Sequence, residues 1–90
     1  MKSHVTATFR RRFADLPPAV QTRARDDYRV FQRDPNYPGL NSHSVTRGNE
    51  KLYSVYTGIH YRALARERGG ELYWFWIGHH AVYDAILAGR

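Results

Sequence analysis

The aromatic run LYWFWI at residues 72–77 constrains the fold more than any other stretch of this chain. Alternate residues of a β-strand point to opposite faces, and both sets of side chains in this run are apolar. A strand that is apolar on both faces is expected inside a sheet rather than at its edge. Gly78 then ends the run, and His79 and His80 follow directly. The sequence therefore predicts an interior core strand with functional side chains at the rim where it ends.

Length and composition favour one globular domain over residues 1–90. A chain of this length buries only about two thirds of the surface that it exposes when unfolded, which is enough for one modest core. The absence of cysteine excludes disulfides, thiolate zinc sites and a cysteine nucleophile, and it fits a cytoplasmic protein. No apolar run approaches the ~20 residues of a membrane helix, so we expect no membrane partner.

The charge of the chain predicts a polyanionic partner. The formal net charge is +6, and arginine is far more frequent than lysine. Arginine binds phosphate and carboxylate groups through paired hydrogen bonds. The partner is therefore expected to be nucleic acid, or an acidic protein that neutralises the same surface.

The N-terminal half is predicted to be helical. Apolar residues at helical spacing predict helices over residues 6–15 and 18–33, after a short edge strand at residues 4–8. Pro17 and Pro18 separate the two helices, because proline ends one helix and is tolerated in the first turn of the next. The two helices are therefore expected to form a hairpin.

The C-terminal half is predicted to form strands. Residues 41–49 are polar and are expected to be a connection. β-prone runs at residues 52–57, 59–66 and 72–77, separated by glycine turns, predict an antiparallel meander, and residues 81–87 predict a short helix. The expected fold is α/β in the α+β sense: an N-terminal helical hairpin on an antiparallel sheet of three to four strands, followed by a short C-terminal helix.

Alternation in the predicted strand 59–66 places Arg62 in the middle of a cationic face. His60 and Arg66 extend this face, while Ala63 and Ala65 point the other way, towards the helices. Arginines that project from a rigid sheet can hold phosphates and stabilise the charge of a phosphorane transition state. The alternative is an ordinary solvated strand face.

A second group of candidates follows the aromatic strand. Helical spacing pairs His79 with Tyr83 and His80 with Asp84. Imidazole exchanges protons near neutral pH, and a phenol can donate a proton to a leaving oxygen, so the group could serve transesterification of RNA. The alternatives are a histidine cap, a packed Tyr83 and an Asp84 ion pair. His80 and Asp84 could also be two metal ligands, but two are too few to define a site.

Two further features have competing interpretations. Lys51 and Arg47 could contact phosphate or lie in a solvated loop. The aromatic run could stack nucleic-acid bases, although core packing is the preferred interpretation, with Trp74 or Trp76 expected to be the partly exposed member.

The combined pattern resembles the RelE/ParE family of small toxins from bacterial toxin–antitoxin pairs. The resemblance covers nearly the whole chain and rests on a basic helical hairpin, LYSVY at 52–56, HYRAL at 60–64 and YWFWIGHH at 73–80, followed by Tyr83-Asp84. It implies a compact α+β fold with a positively charged concave face that binds RNA. Some family members have lysines and an arginine in place of the histidines.

The resemblance also implies an activity. RelE-type toxins cleave messenger RNA in the ribosomal A site without metal or cofactor, and they leave a 2′,3′-cyclic phosphate or a 3′-phosphate. By this resemblance Arg62 would stabilise the transition state, His79 or His80 would be the base or acid, and Tyr83 would assist positioning or proton transfer. The residues expected to bind RNA are Lys51, His60, Arg66 and Arg47.

The implied partners are a cognate antitoxin that masks the basic surface and messenger RNA on the ribosome, and the free toxin is expected to be monomeric. Two alternatives stay open. ParE-like members poison DNA gyrase and lack the nuclease residues. The chain could also be an inactive module that binds nucleic acid or protein through the same basic face.

Overall fold

A computed structural model describes residues 2–89 of the chain. Three helices and five strands follow one another, with one 3₁₀ turn. In chain order they are β1 (Ser3–Val5), α1 (Ala7–Ala14), α2 (Pro18–Arg33), the 3₁₀ turn (Pro38–Leu40), β2 (His43–Arg47), β3 (Glu50–Thr57), β4 (Tyr61–Arg68), β5 (Glu71–His79) and α3 (His80–Gly89). The strands form one sheet in the order β1-β5-β4-β3-β2.

The predicted α+β class, the two N-terminal helices and the interior position of β5 are confirmed. The predicted sheet needs two corrections. It has five strands and is mixed, because β1 pairs with β5 in parallel, whereas the other pairs are antiparallel. In addition, residues 43–47, which were expected to be a connection, form edge strand β2 through a hairpin turn at Gly48, whose φ is 61°. Polar side chains are common on an edge strand, so composition alone did not separate β2 from a loop.

A β-bulge in the centre of β5 changes which aromatic side chains share a face. Trp76 pairs with Leu64 and Trp74 pairs with Ala65, so Phe75 has no residue opposite it. The extra residue reverses the alternation along β5. Trp74 and Trp76 are therefore both buried, at 4% and 3% exposure, in different hydrophobic clusters. The expectation that one of the two tryptophans is partly exposed is wrong.

The sheet is covered on both faces, but unequally. Helices α1 and α2 pack on one face, where Phe31 meets Trp74 edge to face at 5.5 Å between ring centroids. On the other face, the described residues of α3 pack through a small cluster around Tyr83, Leu64 and Trp76. The rest of that second face stays partly open to solvent. We call it the open face.

The N-terminal strand is fastened to β5 by side chains as well as backbone. The Thr6 hydroxyl donates to the carbonyl of Trp74 at 2.8 Å and accepts the Phe9 N–H at 3.2 Å, which caps α1. His4 stacks on Tyr73 and lies 2.5 Å from the Glu71 carboxylate. The hydrogen bond between His4 and Glu71 lowers the pKa of Glu71. Among residues 2–89, no helix combines the length and apolar character that crossing a membrane requires.

Candidate active site

Three histidines from three different elements meet at one end of the sheet. His60 lies in the turn between β3 and β4, His79 ends β5, and His80 begins α3. The His80 N–H donates to the His60 carbonyl at 2.7 Å, which joins the turn to the start of α3. One ring nitrogen of each histidine lies within 4.8 Å of the others. We call this group the histidine cluster.

The rings of the histidine cluster lie against one another. Ring centroids are 4.4 Å apart for His79 and His80, 5.8 Å for His60 and His79, and 6.0 Å for His60 and His80. His60 and His79 are exposed, and His80 is half-buried. Sequence reasoning placed His60 with the RNA-binding residues; the structure places it beside His79 and His80, because the turn at Gly58 returns the chain to the end of β5.

Hydrogen bonding distinguishes the histidines. The Ala81 N–H donates to Nδ1 of His79 at 3.1 Å, so a neutral His79 carries its proton on Nε2. Nδ1 of His80 lies 3.9 Å from Oδ2 of Asp84, which is an ion-pair distance but too long for a hydrogen bond. A proton on Nδ1 of His80 would face the Asp84 carboxylate, and Nε2 of His80 would then carry the lone pair.

Arg62 is folded back over the turn that carries His60. Its Nη1 donates to the carbonyls of Ile59 at 3.1 Å and Tyr61 at 2.9 Å, the two residues that flank His60. The guanidinium lies 3.4 Å from the ring centroid of Tyr56, a close cation–π contact. Among residues 2–89, Nε and Nη2 of Arg62 have no hydrogen-bond partner in the structure, so they can bind an anion.

Tyr83 is packed rather than exposed. It is 8% exposed, and its ring centroid lies 6.4 Å from that of Trp76. Together with Leu64, the two rings form the small core beneath α3. This is the packed alternative considered from the sequence, and it makes Tyr83 the anchor that holds α3, and thereby His80, against the sheet.

The other predicted RNA-binding residues lie at the opposite end of the sheet. Arg47 and Arg66 both contact Glu50 at 2.7 Å, through different carboxylate oxygens. Arg66 also lies 4.0 Å from the ring centroid of Phe75 on the open face. Lys51 pairs with Glu67 at 3.4 Å, and strand alternation puts it on the opposite face from Arg66. Arg66 lies four positions after Arg62, which corresponds to about 13 Å of strand.

Glu50 is the acidic centre of this basic group. Hydrogen bonds from Arg66 and Arg47 lower the pKa of Glu50 from 4.5 to about 2. A carboxyl group with a lowered folded-state pKa stabilises the fold above its unfolded pKa and loses that effect as the pH falls. The stabilisation is therefore fully present above pH 4.5 and disappears on approach to pH 2.

We expect Glu50→Gln to lower the free energy of unfolding at neutral pH by about 1–2 kcal/mol, discounted for the partial exposure of the pair. The difference from wild type should fall to less than half by about pH 3, because the unfolded Glu50 is then mostly protonated. Urea denaturation of both proteins across this pH range measures it. A difference that is independent of pH would contradict the assigned role of the ion pairs.

Gly78 is required by the close approach of Trp76. A Cβ at residue 78 would lie 2.7 Å from Cζ2 and 3.0 Å from Cη2 of the Trp76 ring. Because Trp76 is buried, the ring cannot swing into solvent. Gly78 also pairs with Arg62 and precedes His79, so a displaced backbone here would disturb the candidate site.

Gly78→Ala should therefore destabilise the protein by about 1–3 kcal/mol, the usual cost of overpacking. A second substitution, Trp76→Phe, removes the ring atoms that the new Cβ would meet. In a double-mutant cycle measured by urea denaturation, the alanine should cost less in the Trp76→Phe background than in wild type. Equal costs in the two backgrounds would show that the tryptophan ring is not the obstacle.

An apolar cavity of about 140 Å³ lies on the other side of the sheet, between α1, α2 and the strands. Five aromatic side chains, including Phe9, Phe13 and Trp74, are among the residues that line it. It lies on the face opposite Arg62, so the acid–base groups and the cavity are separate features.

Known proteins share the fold of this chain. The model of the ParE-like toxin domain matches residues 18–85. No curated protein sequence matches the chain. The fold is similar to a chain of the archaeal RelE–RelB complex from Pyrococcus horikoshii OT3, with a TM-score of 0.66 and 13% identity over 87% of this chain and 92% of that chain. It is also similar to a copper-bound mutant toxin from Helicobacter pylori, with a TM-score of 0.62 and 13% identity over 91% and 97%.

Proposed function

The chain belongs to the ParE-like toxin domain family, as its motifs predicted, and from this premise we propose that it is the toxin of a toxin–antitoxin pair that cleaves messenger RNA in the ribosomal A site. One observation carries the nuclease assignment. The Arg62 guanidinium is bonded to the two carbonyls that flank His60, within the turn that meets His79 and His80. In phosphate transesterification, imidazoles can transfer the protons and a fixed cation can stabilise the charge that develops on the phosphate.

The proposed reaction is attack of a ribose 2′-OH on the adjacent phosphate. Nε2 of His80 takes the 2′-OH proton as the O2′–P bond forms. The P–O5′ bond breaks, and a protonated His60 gives its proton to O5′. The products are a 2′,3′-cyclic phosphate and a 5′-OH, and no metal takes part. Asp84 supports His80 in this role, because a carboxylate near Nδ1 stabilises the imidazolium that forms.

Arg62 and His79 stabilise charge in this proposal. The free Nε and Nη2 donors of Arg62 bind the non-bridging oxygens, whose charge increases in the transition state. The neutral His79, with its proton on Nε2, donates a further hydrogen bond to the phosphate. Tyr83 acts through position alone, because it packs under α3 and keeps His80 in place.

The Glu50-centred group would hold RNA backbone further along the open face. A phosphate that binds Arg66 or Arg47 has to compete with the Glu50 carboxylate, which contacts both. The Arg66 guanidinium covers the Phe75 ring at 4.0 Å, so a base could stack on the guanidinium rather than on the ring. Lys51 faces the other side of the sheet, so in this proposal it would reach only RNA that wraps the sheet edge.

The proposed protein partner is a cognate antitoxin. The similar Pyrococcus horikoshii chain comes from a RelE–RelB complex, and the +6 charge of this chain favours an acidic segment as its mask. An antitoxin that covered the open face would block RNA and neutralise the basic residues together.

A second candidate function is gyrase poisoning without cleavage. The observation that favours it is the family description itself, since the matching domain is ParE-like. In this alternative the basic face binds protein, and the histidine cluster has no chemical role.

Primer extension on a defined message in a purified translation reaction separates the two functions. We expect new 5′ ends within codons when both the protein and ribosomes are present, and no change in a parallel gyrase supercoiling reaction. Intact message together with lost supercoiling would transfer the assignment to gyrase. Intact message with normal supercoiling would leave only a basic binding module.

A further inference from the structure

We propose that His60, His79 and His80 bind one divalent late transition-metal ion, Zn²⁺ or Cu²⁺, per chain. The sequence alone offered only His80 and Asp84, which are too few ligands for a site. The turn between β3 and β4 supplies the third imidazole. Three imidazoles with one open position are a common ligand set for these ions.

The separations of the ring nitrogens fit a site that closes around the ion. The three ligand atoms lie within 4.8 Å of one another, whereas ligands about 2.0 Å from a tetrahedral ion are roughly 3.3 Å apart. A closure of about 1–1.5 Å is needed, which rotation of the exposed His60 and His79 rings can provide. The backbone is already fixed, because the His80 N–H is bonded to the His60 carbonyl at 2.7 Å.

Two neighbours determine which ring atoms would bind the ion. Asp84 Oδ2 lies 3.9 Å from Nδ1 of His80, so a small side-chain rotation lets it accept a hydrogen bond from a proton on Nδ1. This would direct Nε2 to the metal, as carboxylates bonded to metal-bound histidines do. To bind the ion through Nδ1, His79 would give up the hydrogen bond that it accepts from the Ala81 N–H. Ala81 lies in the first turn of α3, where water can accept that hydrogen bond instead. The positive charge of Arg62 would repel a metal dication. Its guanidinium, however, is bonded to the carbonyls of Ile59 and Tyr61 and lies over the Tyr56 ring.

The ligand chemistry excludes hard cations. Mg²⁺ and Ca²⁺ prefer oxygen ligands, and imidazole nitrogen favours Zn²⁺ and Cu²⁺. Because the ion would occupy His80 and His60, it would inhibit cleavage rather than assist it. That consequence rests on the proposed function, whereas the binding itself does not.

Isothermal titration calorimetry of the untagged protein with ZnCl₂, CuCl₂ and MgCl₂ tests the proposal. We expect one Zn²⁺ or Cu²⁺ per chain and no Mg²⁺ binding. His60→Ala should weaken binding by about 100-fold or more, because loss of a ligand exceeds the 10–100-fold effect of losing a residue that hydrogen-bonds to a ligand. His43→Ala removes an exposed histidine of β2 and should leave binding unchanged. Circular dichroism of each variant shows that it is folded.

Electron paramagnetic resonance of the Cu²⁺ complex should show coupling to imidazole nitrogens, with fewer coupled nitrogens in His60→Ala. Absence of Zn²⁺ and Cu²⁺ binding, or binding that His60→Ala does not change, would overturn the proposal. Cleavage assays with and without ZnCl₂ keep the two proposals separate. Metal binding without any cleavage activity refutes only the nuclease, and cleavage without metal binding refutes only the metal site.

Discussion

Replacing Arg62 with alanine should lower the single-turnover rate of ribosome-dependent messenger RNA cleavage by about 100-fold or more. The guanidinium donors that face the phosphate are lost, and removal of one such preorganised donor typically costs a factor of 10²–10³. The cleavage rate of Arg62→Lys should lie between those of wild type and Arg62→Ala, because an ammonium group keeps the charge but not the paired donors of the guanidinium. Quenched-flow cleavage of a message bound to purified ribosomes measures the rates.

The matched control is Arg33→Ala, which removes the same charge from the exposed end of α2. It should cleave at the wild-type rate. Arg62 also packs on Tyr56, so urea denaturation of both variants is needed to separate a lost donor from a loosened fold. A folded Arg62→Ala variant that cleaves within about twofold of wild type would remove Arg62 from the reaction.

The largest expected effects on stability come from the two tryptophans of β5. Trp74→Ala and Trp76→Ala should each lower the free energy of unfolding by about 3–5 kcal/mol, because each creates a cavity in a different core. A domain of this size is stable by only about 5–15 kcal/mol, so either variant should be partly unfolded at moderate temperature. Urea denaturation followed by circular dichroism measures both.

Ile59→Ala is the control, since Ile59 is 80% exposed and its truncation should change stability by less than about 0.5 kcal/mol. The burial of both tryptophans, which the bulge at Phe75 places on opposite faces of the sheet, is the feature under test. A large cost at one tryptophan and a small cost at the other would show that one of them is exposed, which contradicts this burial.

The elements that sequence predicted well are those whose own residues determine them. The apolar spacing and the proline pair defined α1 and α2, and the doubly apolar run identified β5 as an interior strand. The parallel pairing of β1 with β5 is a contact between distant parts of the chain. The spacing of apolar residues within a segment gives no information about such a contact. The bulge at Phe75 was not predicted, because the prediction assumed that side chains alternate strictly between the two faces of the strand, without an unpaired residue.

Most residues of the candidate site were proposed from the sequence, but the contact of His60 with the others was not. Arg62, His79 and His80 were identified from residue type and spacing. The contact of His60 with them depends on the turn at Gly58 and on a backbone bond to the start of α3. The pairing of Glu50 with Arg66 likewise depends on the register between β3 and β4, which brings together residues sixteen positions apart.

The chemical identity of the cleaved ends tests the central claim most directly. Messenger RNA cut on ribosomes by the purified protein is recovered, and the ends are identified by mass spectrometry. We predict a 2′,3′-cyclic phosphate, or the 3′-phosphate formed from it, opposite a 5′-OH. A 3′-OH opposite a 5′-phosphate would contradict attack by the 2′-OH and, with it, the proposed roles of His80 and His60.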